Sequence, residues 1–112
     1  MTWNWATVVI LVWLHFFADF VLQTDKMAIN KSKSIKWLLI HIGMYTIPLF
    51  TLGWKFALLN GVLHLTVDFF SSKITSTLWA KEERHWFFVT IGADQAVHIT
   101  CLVLTANYLQ VF

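Results

Sequence analysis

The sequence predicts an all-α integral membrane protein, a single transmembrane four-helix bundle, and three observations carry that prediction. Of its 112 residues 58% are hydrophobic and 12% charged, where soluble domains carry roughly a quarter of charged residues; the mean hydropathy is +0.65. Apolar residues gather in four runs, each near the ~20 residues that cross a ~30 Å hydrocarbon core. Seven Trp and ten Phe suit a chain with aromatic rings at both lipid–water boundaries.

The first run covers about 3–22. No basic segment precedes it and no small-residue cleavage site follows, so it is expected to be a retained span rather than a signal peptide. The second, about 35–52, carries Pro48 near its end, where the missing N–H predicts a kink and a carbonyl left for a neighbour to satisfy. Only Gly53 to Lys55 lies at the junction with the third run, about 54–70, which predicts a tight helical hairpin. Ile74 to Trp79 stays apolar, so the third helix is expected to continue past the membrane. The last run covers about 86–109.

The polar loops are 24–34 and 71–85. Lys26, Lys31, Lys33 and Lys36 accompany the first and Lys73, Lys81 and Arg84 the second, whereas Lys55 stands alone at the other end. That bias puts both loops in the cytoplasm and both termini outside. Segment 25–34 is expected to form an interfacial turn or short helix that sets Met27 and Ile29 among the headgroups. Trp3, Trp5, Trp37, Trp54, Trp79 and Trp86 read as interface anchors, and the loop lysines as topology determinants that could also attract anionic headgroups. The lone Cys101 excludes an internal disulfide and has no zinc-site spacing. A net charge of +2 is too small to point to nucleic acid.

Ionisable groups inside a bilayer are costly and mark function by default. Three acids here lie four residues from a histidine within apolar runs: His15 with Asp19, His64 with Asp68, Asp94 with His98. Residues three and four apart share a helix face, so the first helix presents His15, Asp19 and Gln23, and the third Asn60, His64 and Asp68. The second presents His41 and Tyr45, and the fourth Thr90, Asp94, His98, Cys101 and Thr105. Four polar stripes on otherwise lipid-compatible cylinders need one shared interior. A rise of ~1.5 Å per residue sets the three carboxylates in a layer on the cytoplasmic side of their histidines.

Imidazole with carboxylate is the donor chemistry of Zn²⁺, Fe²⁺ or Mn²⁺, with Zn²⁺ the first expectation, and helical bundles offer such donors from facing helices. His15, His41, His64, Asp68 and His98 are the candidate ligands. Asp19 and Asp94 are the candidate general bases, or else partners that orient their own histidines. A purely structural role accounts poorly for three acids. A central Asp costs ~2.5–3.5 kcal/mol on insertion scales, and interhelical polar contacts return under ~1 kcal/mol. Gln23 and Gln95 read as helix bridges, and His85 beside Trp86 as an interface residue.

The stretch from His15 to Ala28 (HFFADFVLQTDKMA), the segment around His41, and the HLTVD and DQAVH elements together resemble a bacterial and phage family of small polytopic membrane proteins, a domain of unknown function. The resemblance implies the fold, a shared polar site, and residence in a bacterial inner membrane, or in a host membrane if phage-encoded. Three functions remain open from sequence. One is a metal-dependent hydrolase acting on a lipid-like or amphipathic substrate. A second is a proton or ion transport module, which would require a homo-oligomer. The third is a non-enzymatic membrane interaction protein.

Overall fold

A computed structural model describes residues 5–111, so Trp3 and the start of the first predicted span lie outside the described residues. Every regular element among them is helical: α1 (Trp5–Phe16) with a wider π turn at Phe17–Val21, α2 (Asp25–Asn30), α3 (Ile35–Leu49) tightening into a 3-10 turn at Phe50–Leu52, α4 (Trp54–Ala80) and α5 (Arg84–Tyr108).

The hairpin between α3 and α4 is made by Gly53 alone. Its φ of 116° lies in the region that favours glycine, and its carbonyl accepts from Ala57 N–H at 3.0 Å to start the next helix. Pro48 is accommodated within the last turn of α3. Residues 25–30 do form a short helix, capped by the Thr24 hydroxyl accepting from Met27 N–H at 3.3 Å. Ile29 is exposed, whereas Met27, expected beside it among headgroups, is buried in the protein. α4 runs on to Ala80, where Glu82 at φ 60° and the Glu83 N–H bond to the Leu78 carbonyl, 2.9 Å, turn the chain into α5.

α4 is the central helix and packs on both α3 and α5. Gly61 sets the distance to α3, because a Cβ there would stand 2.7 Å from Thr46 Oγ1. Lys73 Nζ donates to the Ser32 carbonyl at 3.3 Å, so both basic segments share one end of the bundle. The opposite end holds an apolar core with Leu49, Phe56, Ala57, Leu102 and Ala106.

Two helical segments, Ile35–Leu52 and Arg84–Tyr108, are long and apolar enough to cross a membrane, and Trp5–Val21 is apolar but shorter. α4 has the length, but its polar stripe lowers its hydropathy. Nearly half of the buried described residues are polar or charged, whereas Trp13, Phe16, Val62, Phe88 and Leu104 face outward.

Candidate metal centre

The wide turn in the first helix positions the first acid. Leu22 N–H donates to the carbonyl of Phe17, five residues back, at 3.1 Å. Such π turns are frequent at functional sites. Asp19 sits inside this one and is buried, with Oδ1 reaching His41 Nε2 at 3.1 Å and His64 Nε2 at 3.4 Å. From α4, Asp68 Oδ2 lies 3.2 Å from His41 Nε2 and 3.4 Å from His64 Nε2. The two imidazole nitrogens are themselves 3.2 Å apart.

These separations are also those of donors that share a cation. Donors ~2.0–2.1 Å from a tetrahedral ion stand about 3.3 Å from one another. Asp19 Oδ1, His41 Nε2, His64 Nε2 and Asp68 Oδ2 have five of their six mutual separations, those given above, between 3.1 and 3.4 Å. Beside this set, His98 Nε2 lies 3.4 Å from Asp68 Oδ1 and 3.2 Å from Asp94 Oδ2, yet it makes no well-directed hydrogen bond. Three groupings can gather donors for an ion: Asp19–His41–His64, His64–Asp68–His98 and Asp19–Asp94–His98. The residues fit a divalent cation.

His15, a predicted ligand, belongs to none of these groupings. Its Nε2–H donates to Gln95 Oε1 at 2.6 Å and its Nδ1 accepts from the Tyr45 hydroxyl at 3.2 Å, so both ring nitrogens are engaged. Gln95 in turn donates from Nε2 to Asp94 Oδ2 at 3.1 Å and Asp19 Oδ2 at 3.5 Å. It is the helix bridge expected of it; Gln23 Oε1, by contrast, has no hydrogen-bond partner among the described residues. Asp19, expected to be a base, sits among the donors. Asp94 accepts from the Ser71 hydroxyl at 2.6 Å and stays at the flank. His85 is exposed against Trp86, away from the centre.

Histidines that ligate zinc usually donate their second N–H to an outer acceptor. The Nδ1 atoms of His41 and His64 are buried without one. Stacking orients His64 instead: Tyr45 lies on His64 with centroids 3.9 Å apart, and His64 on His98 at 3.8 Å. Lys31 is the participant that sequence did not reveal. Its Nζ reaches over from the end of α2 to Asp68 Oδ2 at 3.0 Å, a contact between a loop and a helix that no helical period encodes.

All three intrahelical pairs form, with His15–Asp19 at 3.6 Å, His64–Asp68 at 3.4 Å and His98–Asp94 at 3.2 Å. Each acid also meets a polar group from another helix. The family model described as Protein of unknown function (DUF3307) matches residues 7–112, and the chain belongs to that family. No curated protein and no solved structure matches the chain.

Proposed function

We propose that this protein is a four-span membrane metalloprotein that works as a metal-dependent hydrolase on a membrane-associated substrate approaching from the cytoplasmic leaflet. One observation carries the metal reading: buried nitrogen and oxygen donors from three helices, with Asp19, His41 and His64 close enough together to share one ion and Asp68 Oδ2 within 3.4 Å of both imidazoles. The membrane reading is supported by burial. Large apolar side chains face outward while imidazoles and carboxylates are interior, and the long axis of 45 Å exceeds a ~30 Å hydrocarbon core. Both basic segments lie at one end, the cytoplasmic one by charge bias.

Asp19, His41, His64 and Asp68 would hold the ion, with Zn²⁺ best suited to this donor set and Fe²⁺ or Mn²⁺ next. When bound, such an ion polarises a carbonyl or phosphoryl oxygen and brings the pKa of water toward neutrality. Asp94, fixed by Ser71 and Gln95, is the proton acceptor at Oδ2. His98 Nε2 stands between Asp94 and Asp68, within 3.4 Å of both carboxylates. The Tyr45–His15–Gln95 chain holds Asp19 and Asp94 in place.

Elemental analysis of purified protein beside the His64→Ala variant tests this. The expected result is stoichiometric metal in the wild type and its loss in the variant at equal membrane insertion. Wild type without stoichiometric metal, folded identically after chelation, would overturn it.

A further inference from the structure

A cavity of about 510 Å³ opens beside the centre at the end carrying the basic segments. Asp19, Asp68 and Asp94 form its floor. Lys31 and Lys33 face it from the α2–α3 connection, and Ser71, Ser72, Thr75 and Ser76 from the extension of α4. A further wall is apolar, formed by Phe20, Ile29, Trp79, Phe87 and Ile91. Ser72 is only 6% exposed, and its buried Oγ has no hydrogen-bond partner among the described residues. Gln23 Oε1, also on the lining, is likewise unsatisfied. Buried polar atoms are rarely left so, and both residues line the same cavity.

We infer that this cavity seats a phosphate-bearing amphiphile, its headgroup between the lysines, the α4 hydroxyls and the metal centre, its chain along the aromatic wall. The inference rests on the metal reading and names the class of substrate for that same site. Phosphate offers several acceptor oxygens to several donors at once, and lysine serves it as a point charge. Charge makes the order of binding specific. Three carboxylates outweigh two ammonium groups, so the empty site repels an anion. A divalent cation reverses the sign. A side-chain rotation into the cavity lets Ser72 Oγ donate to a phosphate oxygen and Gln23 Oε1 accept from a headgroup hydroxyl. The apolar wall distinguishes an amphiphile from a free phosphate.

The test uses full-length protein in phosphatidylcholine nanodiscs, with zinc content measured first and then titrated calorimetrically with dioctanoyl phosphatidic acid, dioctanoyl phosphatidylcholine or inorganic phosphate. The zinc-loaded wild type is expected to bind the phosphatidic acid at least about tenfold more tightly than either other ligand. Lys33→Ala and Ser72→Ala should each weaken it by about tenfold at unchanged zinc content, the loss expected for one charge-assisted contact. Chelation should abolish it. Equal binding of phosphatidylcholine, or no effect of either variant, in protein that holds zinc would overturn the inference and leave the metal reading intact. Inorganic phosphate binding as tightly as the lipid would overturn the amphiphile. A wild type devoid of zinc would remove both.

Discussion

The two ends of this bundle solve the problem of burial in opposite ways. Around the Gly53 turn, Leu49, Phe56, Ala57, Leu102 and Ala106 fill the interior with apolar volume. Toward the basic segments, the same helices bury imidazoles and carboxylates instead. The apolar end needs only shape, because every contact there is favourable without an ion. The polar end holds three carboxylates that repel one another unless a cation or protons offset them, and Lys31 at Asp68 supplies only one fixed positive charge. A bundle built this way should keep its fold through one end and its chemistry through the other.

The largest effect should come from removing a shared donor at the polar end. Asp68→Asn is expected to weaken zinc binding by well over 100-fold, beyond the ~10–100-fold typical of outer-shell changes, as measured by competition with a chelator. Phe56→Ala, at the apolar end, should instead lower unfolding stability by roughly 3–5 kcal/mol while zinc stoichiometry is retained. Zinc loss in Phe56→Ala at temperatures where it remains folded would erase the distinction between the two ends.

Smaller changes sharpen it. Gly61→Ala should cost about 1–3 kcal/mol through overpacking against Thr46, and adding Thr46→Ala should restore most of that in a double-mutant cycle. Tyr45→Phe keeps the stack on His64 but removes the hydroxyl that His15 accepts from. It should weaken zinc binding by about tenfold, with thermal stability nearly unchanged. Protons compete with metal for imidazole and carboxylate donors, so zinc occupancy should rise with pH and fall on acidification. The mildest change concerns the bond joining α4 to α5 near the boundary of the two ends, Asn60 Nδ2 to Thr105 Oγ1 at 2.8 Å. Asn60→Ala should cost about 1 kcal/mol of stability and no zinc.

Much of this division is written in local periodicity. The four-residue spacing of His15–Asp19, His64–Asp68 and Asp94–His98 placed each pair on one face, and the structure brings all three faces together with His41. Helix ends followed Gly53 and the first basic loop closely, whereas most of the expected loop 71–85 is helical, α4 running on to Ala80 and α5 starting at Arg84. The π turn at Phe17–Val21 was not legible, because one extra residue per turn leaves no compositional mark. For the same reason the role of Asp19 as a donor to two other helices could not be separated from a base role. His15 looked equivalent to His64 by spacing. Only the interhelical bonds to Tyr45 and Gln95 distinguish them. Lys31 was visible as charge but not as a partner of Asp68, since tertiary reach from a loop has no period.

X-ray absorption at the zinc edge on the metal-loaded protein bears most directly on the claim that donors of three helices meet at one ion. The account predicts a shell of nitrogen and oxygen at ~2.0–2.1 Å with the outer-shell scattering of two imidazoles, one of which disappears in His41→Ala. A sulfur scatterer at ~2.3 Å, or an oxygen-only shell unaffected by that substitution, would contradict it.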